Sequence, residues 1–270
     1  MDDYTGRTAV ITGGASGIGL AAAHALHRQG ARLVLADMDG ESLEQAVHLL
    51  AESGAQVIGV PTDVADAAQV EALARAACDR FGDVHVLLNN AGVSAYGRID
   101  ELTHADWEWA LRVNLWGVIN GIEAFLPRLR AHGAPAHIVN TASFAGFSPN
   151  EKLGAYCASK YAVVGLTECL HREMRGTNVA VSILAPMLVR TNVWKTSARN
   201  RPVELGGAAA HRRRTEEEQA ALQSEYISAD EAAQILLRGM AERQLFIFTH
   251  SSSAPLLKRR FERILTAFAE

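Results

Sequence analysis

Tyr156 and Lys160 stand four residues apart in a run of helical periodicity, so both side chains project from one face. A phenol with a pKa near 10 is a poor base at neutral pH, and bringing it into range takes about 4 kcal/mol of selective phenolate stabilisation. A neighbouring ammonium supplies much of that. The pair alone is common on amphipathic helices. Ser143 narrows the reading, because it lies 13 residues before Tyr156, just past a predicted strand, where its hydroxyl could hold a substrate oxygen beside the phenol. The chemistry this trio suits is proton transfer at an alcohol or carbonyl oxygen.

A second constellation is Thr12-Gly13-Gly14-Ala15-Ser16-Gly17-Ile18-Gly19, placed between a predicted strand and a helix. Glycines let the backbone turn tightly and approach a pyrophosphate, while the helix N-terminus offers free N–H groups to the anion. Asp37 follows Gly19 by 18 residues at the end of the next strand, where a carboxylate can accept from ribose hydroxyls. It would repel a 2′-phosphate. No Arg or Lys stands in the turn or within two residues after Asp37, so NAD is preferred over NADP. Asp63-Val64 occupies the following strand end, where Asp63 either bonds the adenine or caps the next helix. Asn89-Asn90-Ala91-Gly92 closes the fourth strand with small residues and amides. Asn114, a poor helix former among apolar neighbours, needs a partner, and a buried amide bonding its own helix is one reading.

Parallel strands joined by crossover helices would bring these groups to one edge. Short apolar runs predict strands near 8–12, 32–36, 57–61, 84–88, 137–141, 179–184 and 245–249, with helices near 17–29, 40–53, 65–81, 105–129, 154–175 and 229–243. This is an α/β chain: one doubly wound, seven-stranded parallel sheet of Rossmann type, with helices on both faces and a single domain over 1–270. Gly30 and Gly54 end helices, Ser228 to Glu231 has the form of a capping box, and Pro127 should kink or stop the fourth helix. The alternation fails over 187–225, a stretch long enough to be a substrate lid with short helices of its own. Its Arg212-Arg213-Arg214 and Glu216-Glu217-Glu218 runs read as a solvated helical face.

The 270 residues carry a formal net charge of −4, which argues against a nucleic-acid binder held by phosphate contacts. Hydrophobic residues make up 49% and charged residues 21%, far from the composition of a disordered chain. No apolar run is long enough for a membrane span, and the acidic start is unlike a secretory signal, so a cytoplasmic protein is expected. Cys78, Cys157 and Cys169 form no disulfide or metal-ligand pattern, His24 and His27 lack a third ligand, and no metal is expected.

Taken in order, the glycine turn, Asp63, Asn89 to Gly92, Asn114, Ser143, Tyr156 and Lys160 resemble the short-chain dehydrogenase/reductase family over about the first 190 residues. The resemblance implies Tyr156 as general acid/base, Ser143 orienting the substrate oxygen, Lys160 lowering the tyrosine pKa and holding the nicotinamide ribose, and Asn114 anchoring a water in a proton relay. It implies a dinucleotide contacting Gly13, Ser16, Gly17, Ile18, Gly19, Asp37, Asp63, Val64, Asn90, Ala91, Gly92, Tyr156, Lys160, Pro186, Val189 and Thr191. The family's usual Pro-Gly after the sixth strand is Pro186-Met187 here, so Met187 either narrows the pocket or points into the core.

Beside Ser143 and Tyr156, the expected substrate wall is Phe144, Phe147, Asn150, Met187 and Trp194, mostly apolar, which favours a small lipophilic secondary alcohol or ketone. The resemblance also implies a homotetramer or homodimer. Residues 254–270 form an amphipathic tail, with Leu257, Phe261, Ile264, Leu265 and Phe268 at helical spacing, for docking on its own domain, a neighbouring subunit or lipid. Two alternatives remain: an NADP-dependent ketoreductase of a biosynthetic pathway, and a dinucleotide-binding sensor without turnover.

Overall fold

In the central strands, runs rich in Val, Ile and Leu are buried on both faces, as a parallel sheet covered by helices demands. A computed structural model describes residues 3–210, 215, 217 and 226–268. β1 (Thr8–Thr12), β2 (Arg32–Asp37), β3 (Val57–Pro61), β4 (Val86–Asn89), β5 (Ala136–Thr141), β6 (Val179–Ala185) and β7 (Phe246–Phe248) form one sheet. Its order is β3-β2-β1-β4-β5-β6-β7, with every neighbouring pair parallel. The chain winds outward from β1 in one direction and then from β4 in the other. That reversal opens a crevice at the carboxyl ends of these two strands.

α1 (Gly17–Arg28), α2 (Gly40–Glu52) and α8 (Ala229–Ala241) cover one face, where Leu26, Leu50 and Leu236 are fully buried. α3 (Ala67–Phe81), α5 (Gly117–Ala131) and α6 (Gly154–Glu173) cover the other with Leu73, Phe125, Leu129 and Leu170. Ser228 and Glu231 close the reciprocal cap of α8, with the Glu231 amide donating to Ser228 Oγ at 3.1 Å and the Ser228 amide to Glu231 Oε2 at 2.7 Å.

Four local expectations change. The fourth strand starts at Val86 rather than residue 84, because His85 uses its ring Nδ1 to accept the Thr8 amide at 3.2 Å. The long helix expected over 105–129 is α4 (His104–Leu111), a π-helical turn (Arg112–Trp116) and α5. Pro127 does not stop α5, which continues to Ala131: a proline removes one N–H, and the remaining last turn still closes. α3 begins at Ala67 behind the cap residue Asp66, whose Oδ1 accepts from Ala68 and Gln69.

After β6 the chain leaves the sheet and returns beside itself. Ile227 donates to the Leu188 carbonyl at 3.0 Å and accepts from Arg190 at 2.9 Å, closing the base of the excursion. α7 (Val193–Arg199) and short 3₁₀ turns at Val203–Leu205 and Ala208–Ala210 lie within it. Arg212-Arg213-Arg214, Glu216 and most of the remainder up to 225 fall outside the described residues. The tail forms α9 (Ala254–Leu265), which buries none of its residues fully; Leu257 packs near β7 while Phe261, Ile264, Leu265 and Phe268 stay exposed. Among the described residues no helix is long and apolar enough to cross a membrane.

Candidate active site

The sharp turn after β1 requires residues that enter positive φ, and Gly13 (φ 62°) and Gly17 (φ 54°) do so. A Cβ on Gly13 would lie 2.9 Å from Ala91 Cα, so the turn and the β4 loop touch backbone to backbone. Thr12 locks this junction: its hydroxyl accepts the amides of Asn90 at 2.9 Å and Ala91 at 3.0 Å. Asn90 returns its side-chain amide to the Thr12 and Gly13 carbonyls. Gly19 is the one expected cofactor glycine that does not face the crevice. A Cβ there would sit 2.2 Å from the Gly13 oxygen, so Gly19 packs α1 behind the turn.

Asp37 ends β2 beside this turn, accepting the Ala15 amide at 3.2 Å and the Asp39 amide at 3.1 Å. Burial pushes its carboxyl above the usual range, against the pull of these backbone donors. Asp63 holds the Ala65 amide at 2.9 Å and faces the same crevice, whereas the cap of α3 is Asp66.

The π-helical turn changes the direction in which Asn114 points, the common use of such an insertion. Its amide bonds not its own helix but the β4 loop and α6: Oδ1 accepts from Val93 at 2.8 Å, and Nδ2 donates to the Val93 carbonyl and to Ser159 Oγ, both at 3.0 Å. Asn114 therefore clamps the loop carrying Gly92 onto the helix carrying Lys160.

On α6, Lys160 is buried and donates from Nζ to the Thr141 carbonyl at 2.8 Å, while Tyr156, one turn earlier, is half-buried. Nζ lies 5.8 Å from the Tyr156 ring centroid. Burial lowers the Lys160 pKa to about 8. Ser143 follows β5 in an extended conformation; its hydroxyl donates to the Pro186 carbonyl at 3.3 Å and accepts the Ala145 amide at 3.2 Å.

All these strand ends open on one cleft of about 530 Å³. Gly13, Ser16, Gly17, Ile18, Asp37, Asp63, Val64, Asn90, Ala91 and Gly92 line one part; Ser143, Phe144, Asn150, Tyr156, Lys160, Pro186, Met187, Val189, Thr191 and Trp194 line the rest. Met187 thus faces the cleft rather than the core, with its amide donating to Thr249 Oγ1 at 3.2 Å. Phe147 does not reach it. The turn after β5 carries that ring away from the cleft to β7, where it is buried in edge-on contact with Phe248 at 5.1 Å and Phe246 at 5.8 Å. The sequence reading did not include Asp39, Ser42, Arg199, Asn200, Tyr226 or Leu256, which also line it. They come from the excursion after β6, the α2 entrance and the tail, and no spacing in the sequence ties them to the strand ends.

The cleft has the features a dinucleotide needs: a bare glycine turn opening a helix, a carboxylate at the adjoining strand end, and an apolar wall around a phenol. A model of the short chain dehydrogenase family matches residues 7–202. The chain belongs to the short-chain dehydrogenase/reductase family. It is 34% identical to the Cα-dehydrogenase of Sphingobium sp. over 100% of this chain and 88% of that protein. It is 36% identical to the 1-deoxy-11-beta-hydroxypentalenate dehydrogenase of Streptomyces avermitilis, over 95% of this chain and 89% of that one. A crystal structure of a short-chain dehydrogenase/reductase from Burkholderia phymatum in complex with NAD superposes with a TM-score of 0.90 at 40% identity, covering 99% of this chain and 97% of that one. This short-chain dehydrogenase/reductase is an oxidoreductase of the alcohol/ketone type that uses a nicotinamide dinucleotide.

Proposed function

We propose that the protein is an NAD-dependent dehydrogenase of a lipophilic secondary alcohol, working reversibly on the ketone, with Tyr156 as the acid/base. The observation that carries this is the opening of the glycine turn, Asp37, Ser143, Tyr156 and Lys160 onto one continuous cleft. NAD, when bound, supplies the hydride acceptor. The chain's own residues supply the rest. Gly13 and Gly17 leave room for a pyrophosphate at the start of α1, and Asp37 keeps carboxylate lone pairs beyond those that hold Ala15 and Asp39 for two ribose hydroxyls. Asp63 and Val64 lie at the adenine end, and Val189 and Thr191 at the carboxamide end. Asp37 disfavours a 2′-phosphate through like-charge repulsion, and the NAD complex of the Burkholderia phymatum relative supports the same choice.

At the reacting end Ser143 holds the substrate oxygen and the Tyr156 phenol takes its proton. Lys160 is positioned by Thr141 to favour the phenolate and to hold the nicotinamide ribose, and Asn114 keeps the loop of Gly92 and α6 in register for the proton path. Phe144, Leu153, Met187, Leu188 and Trp194 form an apolar wall, with Asn150 as a polar reader, which selects an uncharged lipophilic substrate. The excursion after β6 serves as its lid. Incubation with a panel of cyclic, aryl and hydroxysteroid secondary alcohols, followed by NADH absorbance, tests the proposal. Reduction of NAD by at least one lipophilic alcohol is expected; turnover with NADP alone, or with charged acids alone, would contradict it.

A further inference from the structure

We infer that Arg199 is a cofactor-retaining residue: its guanidinium, held on Asp39 across the adenosine end of the cleft, closes the way out for a bound dinucleotide. The inference rests on the dinucleotide reading above. α7 carries Arg199 on one wall of the cleft, and Asp39, two residues beyond Asp37, stands on the other. The two form an ion pair between elements 160 residues apart, with Ser42 Oγ 3.5 Å from the same guanidinium nitrogen. Asp39 is itself fixed. It caps α2, accepting the Ser42 amide at 3.3 Å and the Ser42 hydroxyl at 2.5 Å.

The backbone beneath Arg199 is pinned on both sides. Ser197 is buried, and its Oγ accepts a hydrogen bond from the Ser94 amide at 3.0 Å. Arg201 is buried too, donating to Asp106 at 2.5 Å and to the Leu205 carbonyl at 2.7 Å, with its guanidinium 5.3 Å from the Trp109 ring centroid. Opening therefore needs no helix movement. The Arg199 side chain is 56% exposed and swings on a fixed support, so it acts as a bar across the mouth while the buried Arg201 holds the frame. A half-exposed pair of this kind has a modest strength that falls with ionic strength, which suits a bar that must open once per turnover.

Stopped-flow displacement of NADH, followed by its fluorescence in the full-length protein, tests this without any substrate. Arg199→Gln should speed NADH release about two- to fivefold, the range an exposed ion pair supplies. Arg199→Lys should recover part of the difference. Asp39→Asn, which keeps the cap of α2 but not the charge, should match Arg199→Gln, and the double variant should release no faster than either. The gap between the unmodified protein and Arg199→Gln should close in high salt. Equal release rates at low salt would overturn the role of Arg199 while leaving the dinucleotide site in place. Loss of NADPH binding in Arg199→Gln with NADH release unchanged would make Arg199 a phosphate anchor and overturn it as well. An unmodified protein that binds no NADH would remove the underlying reading too.

Discussion

Lys160, from the middle of α6, reaches the carbonyl oxygen of Thr141 at the last residue of β5, 2.8 Å away. That single bond ties the helix carrying the phenol to the strand whose end carries Ser143. It also places an amine in a fully buried position, and burial lowers its pKa to about 8. An unfolded lysine titrates near 10.4, so between pH 8 and about 10.4 the unfolded chain binds more protons than the folded one, and stability gains with rising pH in that window. Thermal melts of the unmodified protein and of Lys160→Met across pH 7 to 10.5 should show the unmodified protein gaining relative to the variant above pH 8 and running parallel to it below. Parallel curves throughout would mean the amine is not desolvated.

His137, deep in β5, behaves in the opposite region of pH. Its Nε2–H faces Ser182 Oγ at 2.8 Å, and Ser182 in turn donates to the Gln244 carbonyl at 2.5 Å. Burial holds its pKa at about 3 against an ordinary 6.5. The unfolded state binds the proton first, so stability present above pH 6.5 is lost as pH falls towards 3, by roughly 5 kcal/mol in the limit. Replacement by Gln should flatten urea-denaturation midpoints between pH 6 and 4; an unchanged slope would contradict it.

Asp37 faces the ribose end with backbone donors already on it. Asp37→Ala should lower NADH affinity about tenfold and narrow the gap to NADPH, as read by fluorescence titration. Equal affinities for the two cofactors in the unmodified protein would refute the ribose argument.

The buried pair of Arg201 and Asp106 fixes the excursion after β6 to α4. Burial opposes ionisation of Asp106, yet the Thr103 amide and the Arg201 guanidinium hold its carboxyl below the usual range. Arg201→Met should cost about 3–5 kcal/mol of stability by chemical denaturation, because it strands a buried charge. Undiminished stability would show that the excursion is held elsewhere.

Much of the site was legible because its residues sit at or near strand ends. Gly13, Asp63 and Ser143 follow strands, Asp37 ends one, and Tyr156 and Lys160 share a helix face, so periodicity places them at one edge while the roles come from the resemblance of the ordered set to the family. Phe147 was misplaced because what decides its direction is the pairing of β6 with β7, which brings Phe246 and Phe248 beneath it. The π-helical turn at Asn114 left no mark in spacing, since its partners Val93 and Ser159 are 21 and 45 residues away. Arg199 and Asn200 reach the cleft only through contacts such as Ser94 to Ser197, across 103 positions, which no local pattern encodes.

The most direct test is Tyr156→Phe, measured in parallel for turnover of a confirmed alcohol and for NADH binding by fluorescence. Loss of kcat by about 10²–10⁴-fold, with the dissociation constant for NADH within twofold of the unmodified protein, is the expected result. A variant that still oxidises the alcohol at the original rate would show that the proton leaves by another group.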